Sequence, residues 1–341
     1  MQLYNRVDRK VLKERIAQMQ EEYKTLSFYK YHKIDHPEQF RDELYRVWYS
    51  MGVLGRIYIA HEGINAQLAL PAKNLEVFNT YLDTFSIFKG MRRNFAVEDG
   101  KSFFKLKIQV RHKIVADGID DPSFDPGNCG VHLDAKKWNE LMEHPDVTLV
   151  DFRNHYESEV GHFQNAILPD VDTFREQLPK VAEELHDKKD KPLLMYCTGG
   201  IRCEKASAYM KHHGFTEVYQ LDGGIIKYAR DCKQNDIEPK FIGKNFVFDE
   251  RLHEKITEDI IAHCHQCDEP ADTHINCVNE ACHLLFIQCE KCAIKYEKCC
   301  TPACQEVIHL PLETQKELRK GKKNKQMIFK KGRAGHLKKL G

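Results

Sequence analysis

The alternation of apolar and polar positions divides the chain into segments of different period. Residues 25–31 alternate as a strand. Residues 37–51 repeat at helical spacing, with Phe40, Leu44, Val47 and Trp48 on one face. Residues 56–60 and 64–70 read as strands joined by His61-Glu62-Gly63, a short hairpin connection. Residues 75–84 are helical, and residues 103–110 alternate again. The order strand-helix-strand-strand-helix-strand predicts an α+β unit of ferredoxin-like (acylphosphatase-like) type over residues 1–115. Periodicity then lapses. Asp117-Gly-Ile-Asp-Asp-Pro122 and Asp125-Pro-Gly127 are turn signals, so residues 116–144 are expected to form a linker and the start of the next unit.

From residue 145 the pattern changes to short apolar strands followed by helices. One strand ends in Val150-Asp-Phe-Arg153, and a second runs over residues 192–196. A helical pattern starts at Cys203, and residues 218–221 form a further strand before Asp222-Gly-Gly-Ile225. This predicts an α/β unit with a doubly wound parallel sheet over residues 145–238. A boundary near residues 236–239 opens a cysteine-rich module (239–310). After Pro311 the chain becomes a basic tail (311–341) too polar to pack a core.

Composition narrows the reading. A chain of 341 residues has room for two or three domains. Lys and Arg (52) nearly balance Asp and Glu (51), so any polyanion must be met by local patches. Two patches qualify. Arg92, Arg93, Lys105, Lys107 and Arg111 are interleaved with Phe95, Phe103 and Phe104, and aromatics on a sheet stack RNA bases. The tail carries Lys322, Lys323, Lys330 and Lys331 among other cations. No apolar run is long enough to span a membrane, and the charged start lacks a signal-peptide core, so a cytoplasmic protein is expected.

Of thirteen cysteines, nine crowd between Cys264 and Cys304, whereas the first 196 residues hold only Cys129. A disulfide framework would spread more evenly; the cluster reads as a metal module in a reducing compartment. Cys-x-x-Cys places two thiolates on one turn, each free for a corner of a zinc tetrahedron. A sequential scheme pairs Cys264, Cys267, Cys277 and Cys282, then Cys289, Cys292, Cys300 and Cys304, for two structural zinc ions. An interleaved scheme is the alternative, with His263, His265, His274 and His283 as substitute ligands. Redox dithiols and an iron–sulfur cluster are competing readings, weaker because a redox site needs only one pair.

The strongest chemical signal is Leu-Met-Tyr-Cys197-Thr198-Gly199-Gly200-Ile201-Arg202-Cys203. A thiol between a strand end and a helix start faces backbone N–H groups and a positive dipole end, which favours the thiolate. Gly199 and Gly200 let the loop curl into an anion nest, and Arg202 adds a full charge. Cys203, in the first helical turn, is the candidate resolving thiol, with a pKa expected to be lowered by the same dipole. The Cys-x4-Arg spacing is one residue shorter than the loop of cysteine phosphatases and suits a sulfur atom better than phosphate. With the Gly161-His162 and Ala166-Ile167 motifs in order, residues 197–202 resemble the active-site loop of a rhodanese domain.

Longer strings extend the resemblance: Ser27-Phe-Tyr-Lys-Tyr31, Ala60-His-Glu-Gly-Ile-Asn-Ala66, residues 113–122, residues 196–203 and residues 241–251. Together with the cysteine-rich end they are similar to the bacterial rhodanese-related tRNA uridine hydroxylase family. The resemblance implies hydroxylation of uridine 34 in the tRNA anticodon to 5-hydroxyuridine, with molecular oxygen as co-substrate. The family's cysteine, a persulfide-type nucleophile, falls on Cys197. A sulfurtransferase carrying a persulfide on Cys197 is the second reading, and a zinc-containing RNA-binding scaffold the third. The sequence shows no 2-His-1-carboxylate iron site and no dinucleotide fingerprint for a flavin or nicotinamide.

Overall fold

The computed structural model describes residues 21–97 and 102–320, together with Val11, Leu12, Glu14, Gln18 and Leu337. Lys322, Lys323, Lys330 and Lys331 lie outside the described residues.

The N-terminal unit consists of β1 (Tyr23–Tyr31), α1 (Pro37–Ser50), β2 (Leu54–Ala60), β3 (Gly63–Pro71), α2 (Leu75–Asp83), β4 (Asn94–Phe95) and β5 (Leu106–Val110). Its sheet runs β4-β1-β3-β2-β5. Antiparallel pairing of β1 with β3 holds from Tyr23↔Pro71 to Tyr31↔Gly63, and β2 pairs antiparallel with β3. Leu26 and Phe28 of β1 bury with Trp48 of α1 and Phe78 and Leu82 of α2, as strand and helix periods dictate. One expectation is corrected. The strand beside β1 that closes the ferredoxin-like order is β4, two residues long and too short to show a period. The 103–110 pattern becomes β5, which joins the opposite edge parallel to β2.

The central unit holds β6 (Val131–Leu133), α3 (Ala135–Met142), β7 (Thr148–Asp151), α4 (His155–Ser158), β8 (Gly161–Phe163), α5 (Phe174–Glu184), β9 (Leu193–Tyr196), α6 (Ile201–His212), β10 (Val218–Leu221) and α7 (Gly224–Asn235). Four strands form a parallel sheet in the order β6-β10-β9-β7. Helices cover both faces. Leu193, Met195 and Cys197 pack toward α5 and α6, and Leu194 and Tyr196 toward α3 and α7. This is the period of two along β9, continued one residue past its end. Cys197 therefore stands at the carboxyl end of a central strand, where open α/β sheets place ligands.

Strand β11 (Phe241–Phe246) pairs with β8 and with β12 (His253–Lys255), so residues 241–255 pack on the central unit. The cysteines sit around the β13 (His274–Asn276) and β14 (Leu285–Ile287) hairpin, α8 (Glu290–Lys295) and α9 (Pro302–Ile308). Composition marked residues from 311 as a tail; they open with a helix, α10 (Leu312–Arg319), that has no buried residue. Among the described residues, no helix is long and apolar enough to cross a membrane.

Candidate active site

Helix α6 starts at Ile201, two residues earlier than the sequence pattern suggests. Its N-cap is Gly200, at φ 100°, a left-handed conformation that side chains rarely adopt. A Cβ there would also lie 2.8 Å from the Tyr29 hydroxyl. Gly199 is not among the left-handed residues, so only one of the two loop glycines supplies the curl. The Gly200 N–H donates to the Cys197 Sγ at 3.2 Å. Burial alone would raise the Cys197 pKa. The Cys203 thiol, the Arg202 charge and the N–H groups of Cys203 and Gly200 more than offset it, bringing the value to about 6. Cys197 is thus a thiolate at neutral pH.

Cys203 departs from expectation. Its burial, and the Cys197 thiolate beside it, push its pKa well above the ordinary value. Cys203 is a protonated donor rather than a second thiolate; the helix dipole is outweighed by burial beside an anion. Replacing Cys203 with alanine removes the largest favourable contribution to the thiolate. We expect the pH inflection of Cys197 alkylation to move up by about one pH unit. Cys203→Ser, which keeps a donor, should hold the inflection near the native value and slow turnover without abolishing it. An unmoved inflection in the alanine variant would contradict this role.

Arg202 does not face the thiolate as an unpaired cation. Its guanidinium donates to both carboxylate oxygens of Glu157 at 2.7 and 2.8 Å, and to the Thr198 hydroxyl at 3.1 Å. Thr198 in turn donates to Glu157 at 3.1 Å. Glu157 is fully buried; burial would raise its pKa, but Arg202 holds it below the usual carboxylate value. Sequence reasoning missed Glu157. Its one local signature is the Asn154–Glu157 capping box, which reads only as a helix start. Arg153 packs behind it, bidentate on Asp151 and donating to the Gly161 carbonyl at 2.6 Å. Glu157→Gln leaves Arg202 buried without its counter-charge. We expect a loss of about 3–5 kcal/mol in denaturant unfolding. The Cys197 inflection should fall, because the freed cation acts on the thiolate undiluted; an inflection that rises would contradict the assignment.

The N-terminal unit roofs this loop. Asn94 Nδ2 donates to the Gly199 carbonyl at 3.3 Å and the Tyr31 hydroxyl to the Ile201 carbonyl at 3.3 Å. Tyr29 donates at 2.9 Å to Glu204 of α6, which also accepts from Gln220 at 3.3 Å and lies 3.0 Å from His132 Nε2. Lys205 of α6 is buried against Asp117 of the linker and Glu62 of the β2–β3 turn, the latter at 2.6 Å. The linker is therefore pinned between the units. Between roof and loop lies a cavity of about 790 Å³, with Cys197, Thr198 and Arg202 on one side and Tyr29, Tyr58 and Phe103 on the other.

The eight expected ligand cysteines form two groups, interleaved rather than sequential: Cys264, Cys267, Cys289 and Cys292, then Cys277, Cys282, Cys300 and Cys304. No histidine enters either group. His265 instead meets Glu159, at the end of α4, at 2.7 Å. Sulfur separations of 3.6 Å (Cys267–Cys289 and Cys282–Cys300) and 3.8 Å (Cys300–Cys304) rule out disulfides. They match the edge, about 3.8 Å, of a tetrahedral shell of thiolates about 2.3 Å from a central ion. Both groups can hold a metal ion. The pairing follows from the β13–β14 hairpin, which brings the first knuckle beside α8.

The basic residues separate. Arg92 is paired with Asp222, and Arg93 with Asp83 at 2.6 Å. Lys105, Lys107 and Arg111 are exposed on and beside β5.

Three stretches match family models: residues 23–114 the UPF0176 acylphosphatase-like domain, 134–231 the rhodanese-like domain and 242–305 the rhodanase C-terminal region. A tRNA uridine(34) hydroxylase of Enterobacter sp. (strain 638) is 52% identical over 341 residues, covering 99% of this chain and 98% of its own. That of Pectobacterium atrosepticum is 55% identical over 333 residues, covering 97% and 94%. That of Leptospira interrogans is 53% identical over 332 residues, covering 97% and 90%.

Proposed function

The chain belongs to the tRNA uridine(34) hydroxylase family, and on that premise we propose that it hydroxylates uridine 34 of tRNA at C5, with Cys197 as the nucleophile. The observation that supports this most is a thiolate at the floor of a roofed cavity of about 790 Å³, within the size range of sites that enclose a small organic ligand. An extruded base fits such a space, and an anticodon loop lowers the cost of extrusion because it is single-stranded.

The Cys197 thiolate adds to C6 of the uracil, and C5 gains enolate character. C5 takes up molecular oxygen, and a proton from solvent completes the C5–hydroperoxide. Two electrons and two protons from a cellular reductant cleave the O–O bond, leaving hydroxyl on C5 and releasing water. Loss of the C5 proton with expulsion of the thiolate from C6 restores the double bond and yields 5-hydroxyuridine. The Gly200 N–H and the Cys203 thiol hold the anion before attack and after release. Glu157 fixes Arg202 behind the loop.

The two tetrathiolate groups are proposed to hold structural zinc, since four-sulfur shells leave no position for substrate. The enzyme is read as cytoplasmic, where its tRNA is. A sulfurtransferase would use the same loop, but a terminal sulfur needs neither the volume of this cavity nor its aromatic roof. Mass spectrometry of anticodon nucleosides from a deletion strain separates the two. We expect 5-hydroxyuridine to vanish at position 34; loss of a thiolated nucleoside instead would favour the sulfurtransferase.

A further inference from the structure

A second surface concentrates positive charge beside the cavity. Strands β2 and β5 run parallel at the sheet edge, in a register that sets Arg56 beside Lys107. Lys105, two residues before Lys107, falls on the same face, and all three side chains are exposed. Among the described residues none of the three has a carboxylate partner. Like charges side by side on neighbouring strands cost stability. The repulsion registers on Lys107, whose pKa is lowered by partial burial and then by Arg56, Lys105 and Arg111. Such crowding is relieved when a polyanion lies across it.

These cations border a groove of about 890 Å³. Phe104 and the β2–β5 edge form one wall. The other comes from Leu252, after β11, and from Asn276 and His283 of the hairpin that carries Cys277 and Cys282. Two carboxylates of the groove have arginine partners: Asp249 accepts from Arg251 at 2.9 Å and Glu280 meets Arg319. Arg56, Phe103 and Phe248 line both this groove and the cavity over Cys197, so the two spaces share a wall.

We propose that this groove carries the single-stranded RNA flanking the base inserted above Cys197, with Arg56, Lys105 and Lys107 on its phosphates. The inference rests on the reading of the chain as a tRNA enzyme. It adds Arg56, which the sequence did not single out, to Lys105 and Lys107; Arg92 and Arg93 stand in ion pairs with Asp222 and Asp83. It also gives the metal hairpin a task, as the wall facing the basic strands.

The test uses the full chain and a labelled anticodon stem-loop RNA bearing uridine 34, with affinity followed over a salt series. Each phosphate neutralised on a single strand contributes about 0.7 to the slope of log K against log salt. Combined Arg56→Gln, Lys105→Gln and Lys107→Gln should flatten the slope by about 2 and weaken low-salt binding about tenfold. The charge-keeping set Arg56→Lys, Lys105→Arg and Lys107→Arg should retain the native slope. Thermal unfolding of the glutamine variant should not come earlier than in the native chain, because the change relieves repulsion. Should that variant unfold early, Lys105→Gln alone carries the test, with a slope change of about 0.7. A folded glutamine variant with the native slope overturns the groove while leaving the tRNA reading intact. A native protein that fails to bind the stem-loop overturns that reading, and the groove with it.

Discussion

Replacing Cys197 with serine should abolish 5-hydroxyuridine formation, by about 10⁴-fold or more, with the fold intact. The loop is built around a sulfur anion. The Gly200 N–H donates to Sγ, and together with the neighbouring Cys203 thiol and Arg202 it brings the pKa to about 6. A serine hydroxyl in the same place stays protonated and cannot add to C6 at a useful rate. Substrate binding should survive, because the cavity walls and the groove are untouched. In the native chain, Cys197 alkylation should rise through about pH 6 and then level off, since the reactive form is the deprotonated one. The linkage runs the same way. The depressed pKa adds stability that is fully present above the ordinary thiol value and is lost as pH falls through about 6. Nucleoside analysis of tRNA treated with the variant checks the first expectation; near-native product would remove Cys197 from the chemistry.

Metal removal should unfold the C-terminal module. Its strands are three residues long, and a lone two-stranded sheet is marginal in water. Its two small cores are built on the thiols themselves, with Cys277, Cys299 and Cys300 packed around Leu284 and Phe286, and Cys264 and Cys292 beside Ile287. Binding at structural tetrathiolate sites supplies on the order of 10 kcal/mol of folding free energy, more than such cores provide. Chelation at neutral pH, or Cys300→Ser, should open residues 256–310 to protease. Stem-loop affinity should fall as well, because the hairpin is a groove wall. Metal analysis of protein prepared without chelator should give two zinc ions per chain. Well under one, or a module that resists protease after chelation, would contradict the assignment.

What the sequence discloses is local. The Cys197 loop is legible because strand end, glycine turn, arginine and helix start are contiguous. The thiol knuckles are legible for the same reason. Interleaving of the two thiol groups is not, because it depends on β13 pairing with β14 across an eight-residue connection. Glu157 lies 45 residues before its arginine partner, inside a capping pattern that accounts for it fully. Tyr29, Tyr31 and Asn94 come from another unit and reach the loop only through tertiary packing. The dipole argument that served Cys197 failed for Cys203 because burial against an anion outweighs half a unit of helix charge. The ion pairs of Arg92 with Asp222 and of Arg93 with Asp83 are not legible either, because composition does not show which cations have partners.

The covalent step can be observed without oxygen or reductant. Addition of the Cys197 thiolate to C6 makes the C5 hydrogen of uridine 34 acidic, so reversal of the addition exchanges it with solvent. A stem-loop RNA is incubated with the protein in heavy water under anaerobic conditions, and its nucleosides are weighed by mass spectrometry. Uridine 34 alone should gain one deuterium at C5 with the native chain and none with Cys197→Ser. A native protein that makes 5-hydroxyuridine in air yet leaves C5 unexchanged, or a serine variant that exchanges it, would show that the thiolate does not activate the base.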